Sequence, residues 1–185
     1  MDAKFPNIHL IHTLVFDFDG IFTNNKVYVR EDGLEMVCCD RADGLALDML
    51  RSVCAKKQLQ LDRFILSKEK NIVVETRAKK LQLPCFSGIG NKLEFLKNYF
   101  SKNRIDDSDP FSGMIYLGND LNDLPVISCA GFSVVPSDAH SMVKSAASVI
   151  LPQKGGYSFV RSFIEKFLNI NKLTIGEINE LIFNS

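Results

Sequence analysis

The stretch IHTLVFDFDGIFT, residues 11–23, decides the fold. Its first half, Ile11 to Phe16, is a short apolar run with the make-up of a strand buried on both faces. The run stops at once in Asp17-Phe-Asp-Gly, residue types that turn a chain. Working outward, Phe64–Leu66, Met114–Leu117, Phe132–Val135 and Val149–Leu151 repeat the pattern of a brief apolar run ended by polar or small residues. Between these runs, apolar residues fall at helical spacing: Leu47, Leu50 and Cys54; Val74, Ala78 and Leu81; Leu93, Leu96 and Phe100; Val160, Ile164 and Phe167. The alternation predicts an α/β fold, a Rossmann-like three-layer sandwich with a central parallel sheet covered by helices on both faces.

At 185 residues the chain has the length of one domain, with 46% hydrophobic and 24% charged residues, enough for a sizeable core. Its 22 basic and 22 acidic residues cancel, so there is no field to attract nucleic acid or an anionic membrane, and any anion must be held by a local site. The N-terminus, Met1 to Asp19, is interrupted by His9, His12 and Thr13 and lacks the pattern of a signal peptide. No run of ~18 apolar residues predicts a membrane helix. Cys38, Cys39, Cys54, Cys85 and Cys129 are odd in number and scattered, which favours free thiols in a reducing cytoplasm. One domain is expected over 1–170. Lys26–Arg30 and Leu34–Cys38 flank Glu31-Asp32-Gly33, which predicts an inserted β-hairpin over about 25–39, closed by a type I′ Asp-Gly turn. Residues 103–113 read as a loop, and 171–185 as a tail with one weak helix.

In open α/β sheets, ligands bind beyond the carboxyl ends of the strands. Asp17 and Asp19 follow the first strand, Ser67 the second, and Gly118-Asn119-Asp120 with Asp123 the run ending at Leu117. Lys92 opens a helix after Gly88-Ile-Gly-Asn and can reach the same crevice. Two carboxylates ~4 Å apart repel by ~4 kcal/mol at an effective dielectric of ~20. A hard divalent cation with oxygen ligands removes that cost, and Mg²⁺ typically joins one or two carboxylates to a substrate phosphate.

Asp17-Phe-Asp-Gly-Ile-Phe-Thr23 resembles the first motif, D-x-D-G-x-x-T, of phosphatases of the haloacid dehalogenase superfamily. Ser67, Lys92 and Gly118-Asn-Asp-Leu-Asn-Asp123 resemble the second, third and fourth, in the same order. More narrowly, the chain is similar to the capless branch typified by 3-deoxy-manno-octulosonate 8-phosphate phosphatases. The shared features are the early hairpin, Arg41-Ala-Asp43-Gly44, Ala139-His140, and Gly155-Gly156 followed by Arg161. Leu66-Ser-Lys-Glu-Lys-Asn71 resembles the related domain fused to acylneuraminate cytidylyltransferases.

The resemblance implies a fold with no cap domain and hydrolysis of a phosphomonoester in two steps. Asp17 would attack phosphorus, and Asp19 would protonate the leaving alkoxide and then deprotonate water. Ser67 would hold a phosphate oxygen and Lys92 the charge gathering in transfer. Mg²⁺ would take the Asp17 carboxylate, the Asp19 carbonyl and an oxygen of the fourth motif. The position usually filled there by an acid is Asn119, leaving Asn119 and Asp120 as alternative ligands; Asp123 supports them, or caps a helix. Thr23, Arg41, Asp43, His140, Gly155, Gly156 and Arg161 are candidate substrate contacts, although His140 also reads as a local cap after Ser137-Asp138. The segment Gly155-Gly-Tyr-Ser-Phe-Val-Arg161 departs from the G-G-x-G-A-x-R of many relatives. The resemblance further implies a small-molecule sugar phosphate as substrate, an octulosonate or acylneuraminate type, and a homotetramer joined through the hairpins. The competing expectation is a non-catalytic domain partnering a cytidylyltransferase; it has little use for the Asp17–Asp19 pair.

Overall fold

Four consecutive buried residues, Thr13–Phe16, form β1 at the heart of the sheet. The computed structural model describes residues 5–103 and 108–183. Residues 1–4 at the head of the N-terminal stretch, 104–107 within the loop expected over 103–113, and 184–185 at the end of the expected tail lie outside the described residues.

After β1 come the hairpin strands β2 (Thr23–Val29) and β3 (Glu35–Cys39), α1 (Ala42–Lys56), β4 (Asp62–Leu66), α2 (Ile72–Lys80) and β5 (Cys85–Phe86). The chain continues with α3 (Lys92–Lys102), β6 (Met114–Leu117), α4 (Leu124–Ile127), β7 (Phe132–Pro136), α5 (Ser141–Ala146), β8 (Val149–Leu151), α6 (Phe159–Phe167) and α7 (Ile175–Phe183). The sheet is parallel, in the order β5-β4-β1-β6-β7-β8. β1 pairs with β4 on one side and β6 on the other, Phe16 opposite Ile65 and Leu117. The order of connection reverses there, which opens a crevice beyond Phe16.

Alternation along β1 divides the core between the two faces. Leu14 and Phe16 pack with Leu47 and Leu50 of α1 and with Phe163 and Ile164 of α6. Val15 packs with Leu96 and Phe100 of α3, and with Tyr116. This is the expected three-layer sandwich, with no cap domain among the described residues. β5 and the short helices α4 and α5 add to the expected elements; at two, four and six residues they hold too little periodicity to read.

One expectation is corrected. Of Asp32 and Gly33 only the glycine takes a positive φ (+80°), and Arg30 N–H donates to Leu34 O at 2.9 Å. The hairpin therefore closes through the three residues 31–33 rather than a two-residue type I′ turn. The one helix expected in the stretch 171–185 is α7, which docks on α1: Leu181 is buried, and the Ser52 hydroxyl donates to its carbonyl at 2.8 Å.

Candidate active site

Beyond β1 the chain turns so tightly that only glycine fits at residue 20. Its φ is +77°, and a Cβ there would lie 2.0 Å from the Asn119 amide nitrogen. The turn after β1 and the loop after β6 thus meet at Gly20. Asp17 is nearly buried, and its N–H donates to Leu117 O at 2.8 Å, which ties it to β6. Asp19 is half-buried. Thr23, fully buried, accepts from Gly20 N–H at 3.2 Å and from Asn25 N–H at 3.1 Å, and its hydroxyl lies 3.4 Å from Asp19 Oδ1. Thr23 shapes the Asp19 turn, and this candidate substrate contact is not among the residues that line the cleft described below.

Lys92 is the first residue of α3, where the helix dipole disfavours a cation. Two acids outweigh that cost: Nζ stands 2.7 Å from Asp17 Oδ1 and 2.7 Å from Asp123 Oδ1. Asp123 makes no capping bond to α4. Instead its carboxylate accepts from Tyr116 OH at 2.6 Å, from Asn119 N–H at 2.9 Å and from Asp120 N–H at 3.2 Å. Gly118 permits this fold-back, since a Cβ there would come within 2.7 Å of the Asp123 side chain. Tyr116, fully buried, was missed from sequence because a phenol within an apolar strand reads as core. Its only signal is a position two residues before Gly118.

The electrostatics are short of positive charge. Burial, then the Asp123 charge, push Asp17 up to about 7 despite Lys92. Burial likewise raises Asp19, with the Thr23 hydrogen bond opposing. Burial would lower Lys92, but the charges of Asp17 and Asp123 prevail and raise it.

Asp17, Asp19, Ser67, Asn119 and Asp120 line a cleft of about 620 Å³. Its other walls carry Lys26, Val27, Glu35 and Val37 from the hairpin, and Lys68, Glu69 and Asn71 after β4. Ser67 is buried, and its hydroxyl accepts from Glu69 N–H at 3.1 Å. Arg41, Asp43, His140, Gly155, Gly156 and Arg161 are not among the lining residues. Asp43 has no exposed surface and its Oδ1 accepts from Arg161 N–H at 2.9 Å, so the expected substrate contact gives way to an internal one. The Arg161 side chain pairs with Glu165 at 2.7 Å. His140 caps α5, accepting from Met142 N–H at 3.2 Å.

Whether these residues suit a divalent cation turns on one buried atom. Asn119 Oδ1 is enclosed without a hydrogen-bond partner, next to Gly20, in a residue that lines the same cleft as Asp17 and Asp19. An orphaned buried carbonyl oxygen is costly unless something binds it. Asp120 is exposed and its Oδ1 accepts from Leu121 N–H at 2.8 Å. Among the described residues no three His, Cys, Asp or Glu side chains form a metal cluster by themselves. Two aspartates with an amide oxygen do fit a hard ion such as Mg²⁺.

No family model matches the chain. It is similar to a HAD family hydrolase from Streptomyces avermitilis MA-4680, with 34% identity, 91% of this chain and 98% of that one covered, and a TM-score of 0.81. It is 28% identical over 179 residues to the 3-deoxy-D-manno-octulosonate 8-phosphate phosphatase KdsC of Escherichia coli K12, covering 96% of this chain and 86% of that protein. A structure of 3-deoxy-D-manno-octulosonate 8-phosphate phosphatase from Moraxella catarrhalis, in complex with magnesium, phosphate and KDO, matches with a TM-score of 0.76 at 26% identity, with 88% of each chain covered.

Proposed function

The chain belongs to the HAD family of hydrolases, and from that premise we propose that it hydrolyses the phosphomonoester of a 3-deoxy-2-ulosonic acid, of octulosonate or acylneuraminate type. The observation that carries the reading is the convergence at one point of Asp17, Lys92 and Asp123, with the unpartnered Asn119 oxygen beside them. The relatives named for an octulosonate phosphatase, and a cleft far larger than a phosphate group, support the substrate class.

Asp17, Asp19 and Asn119 are the residues to hold Mg²⁺, with Asp120 displaced to the rim. Bound there, the ion supplies the positive charge that this acid cluster lacks. Asp17 Oδ attacks phosphorus as the ester P–O bond breaks, and the departing alkoxide takes the proton of Asp19. Asp19 then removes a proton from water, whose oxygen attacks the phosphorus of the aspartyl-phosphate; the acyl-phosphate P–O bond breaks and Asp17 is restored. Ser67, on the cleft wall, donates to a phosphate oxygen, and Lys92 holds Asp17 in line.

The test is Mg²⁺-dependent phosphate release across octulosonate, acylneuraminate and simple sugar phosphates. Turnover should be highest on the ulosonates and vanish in Asp17→Asn. Turnover that survives Asp17→Asn would remove the nucleophile, and a preference for simple sugars would remove the substrate class.

The hairpin supports the assembly of several copies. Val27 and Val37 face each other across it and line the cleft, while Tyr28 and Met36 pair on its other face, 61% and 52% exposed. Apolar surface of this extent on a two-stranded arm favours burial against another copy, and a tetramer is the expected form. A monomer in sedimentation would overturn it. Free thiols at Cys38, Cys39, Cys54, Cys85 and Cys129 suit a cytoplasmic enzyme. Among the described residues, no helix is long and apolar enough to cross a membrane.

A further inference from the structure

From the loop after β8 into the first turn of α6 the chain forms a strap, residues 155–161, that touches the turn after β1 without lining the cleft. Four polar anchors fix it. Gly155 N–H donates to Asp138 Oδ1 at 3.0 Å and Gly156 N–H to Ile21 O at 3.1 Å. The Ser158 hydroxyl donates to Asp40 Oδ2 at 2.6 Å, and Arg161 N–H to Asp43 Oδ1 at 2.9 Å. Asp40 and Asp43 stand at the start of α1, and Asp40 is itself set by Ala42 N–H at 2.9 Å.

The anchors hold the strap against the catalytic turn with no spare room. A Cβ on Gly155 would lie 1.9 Å from Gly20 O, and one on Gly156 would lie 2.4 Å from Asn24 N. Gly20 is the residue on which Asn119 rests, and Asp19 immediately precedes it. The other half of the site is joined to the same strap. Asp138, which holds Gly155, lies two residues before His140, whose N–H donates to Asn119 O at 2.9 Å.

Two features of the anchors are expensive for a mere turn. Ser158 sits in the left-handed region, φ +57°, a conformation that disfavours any residue with a side chain. Asp43 is wholly buried, its Oδ2 has no partner, and burial pushes it up to about 7. Such costs persist where the surroundings enforce a geometry that function uses.

We propose that Asp43 and Asp40 are positioning residues for the phosphatase reaction: by fixing the start of α6 they press the Gly155–Gly156 backbone onto the Gly20–Thr23 turn, and so set Asp19 against Asn119. The kinetic part rests on the function proposed above; the mechanical part does not.

The experiment compares Ser158→Ala, Asp43→Ala and Asp43→Asn with the unaltered protein. Each is measured for Mg²⁺-dependent turnover of p-nitrophenyl phosphate and for amide hydrogen exchange over residues 18–25. Ser158→Ala and Asp43→Ala should each lower kcat about 10-fold, since small misplacements of a catalytic group are costly, with KM within twofold. Both should speed exchange over 18–25. Asp43→Asn keeps an acceptor for Arg161 N–H and should restore most of both signals. Unchanged kcat and exchange in folded Ser158→Ala and Asp43→Ala overturns the proposal. So does a rise in KM alone, which would mark a substrate contact. If Asp43→Ala does not fold, Ser158→Ala decides. An unaltered protein with no turnover, but with exchange that responds to the variants, removes the phosphatase reading and keeps the strap. Turnover with neither kcat nor exchange responding does the reverse.

Discussion

The chemistry of the site depends on how one lysine is shared. Lys92 has two acids at 2.7 Å, and the one that must react is Asp17. Tyr116 settles the sharing: its hydroxyl donates to Asp123 Oδ1 at 2.6 Å and lies 3.3 Å from Lys92 Nζ, partly satisfying Asp123. In Tyr116→Phe, Asp123 loses a donor and draws the ammonium towards itself. Steady-state kinetics should then show kcat lowered about 10-fold with KM nearly unchanged, the pattern for a group whose effect is felt in the transition state. A second expectation concerns Asn119, whose orphaned Oδ1 gives a ligand without formal charge. Asn119→Asp should bind Mg²⁺ as tightly as the unaltered protein or more tightly by calorimetry, and a large loss would remove Asn119 from the ligand set. Asp17, Asp19, Ser67 and Lys92 were legible in sequence because each is a polar residue at an element end, where an α/β sheet puts its ligands. Tyr116 was not legible, because strand burial conceals its hydroxyl. The inward turn of Asp43 was not legible either, since its partner is a backbone N–H 118 residues away.

Elements long enough to repeat their period were read correctly, and those held only by their neighbours were not. α1, α3 and α6 show an apolar stripe because each packs one face on the sheet. β5 exists because β4 offers it an edge, with Ile65 opposite Cys85. α7 could be read only as a weak helix in a tail, because its docking on α1 is a long-range contact. The helix of most consequence for the site is α6, since its start holds the strap. Phe163 anchors it: the ring is fully buried, stacked on Phe167 at 5.6 Å and meeting Phe16 of β1 at 6.4 Å. Phe163→Ala removes an aromatic from a close-packed layer and should cost about 3–5 kcal/mol. Thermal unfolding should fall by about 10 °C, and a change of only a degree or two would mean that α6 is not held by its apolar face.

Across the whole molecule, the folded state carries acids whose affinity for protons differs from that of the unfolded chain, so stability depends on pH. Asp43 is the clearest case away from the cleft. It faces Asp40 on its own loop, Arg77 of α2, Arg161 of α6 and the Cys39 thiol of β3, yet burial dominates and its carboxyl rises from 3.8 to about 7. Between those two values the folded protein keeps a proton that the unfolded chain has released. Raising the pH through that window therefore removes stability, and the loss is complete once the folded carboxyl ionises. Asp40 acts in the opposite sense. Burial is outweighed by its bonds from Ser158 and Ala42, so it is lowered and favours the fold until the pH falls below the usual carboxylate range. Asp43→Asn deletes the first effect and leaves the second. It also leaves the raised Asp17, whose contribution is common to both proteins and cancels in their difference. Urea unfolding should find the variant gaining on the unaltered protein from about pH 4 to pH 7, then holding a constant lead on the order of 2–4 kcal/mol. A difference that is flat in pH, or that narrows as pH rises, would mean that Asp43 ionises freely in the fold and that the buried carboxyl between α1 and α6 carries no cost.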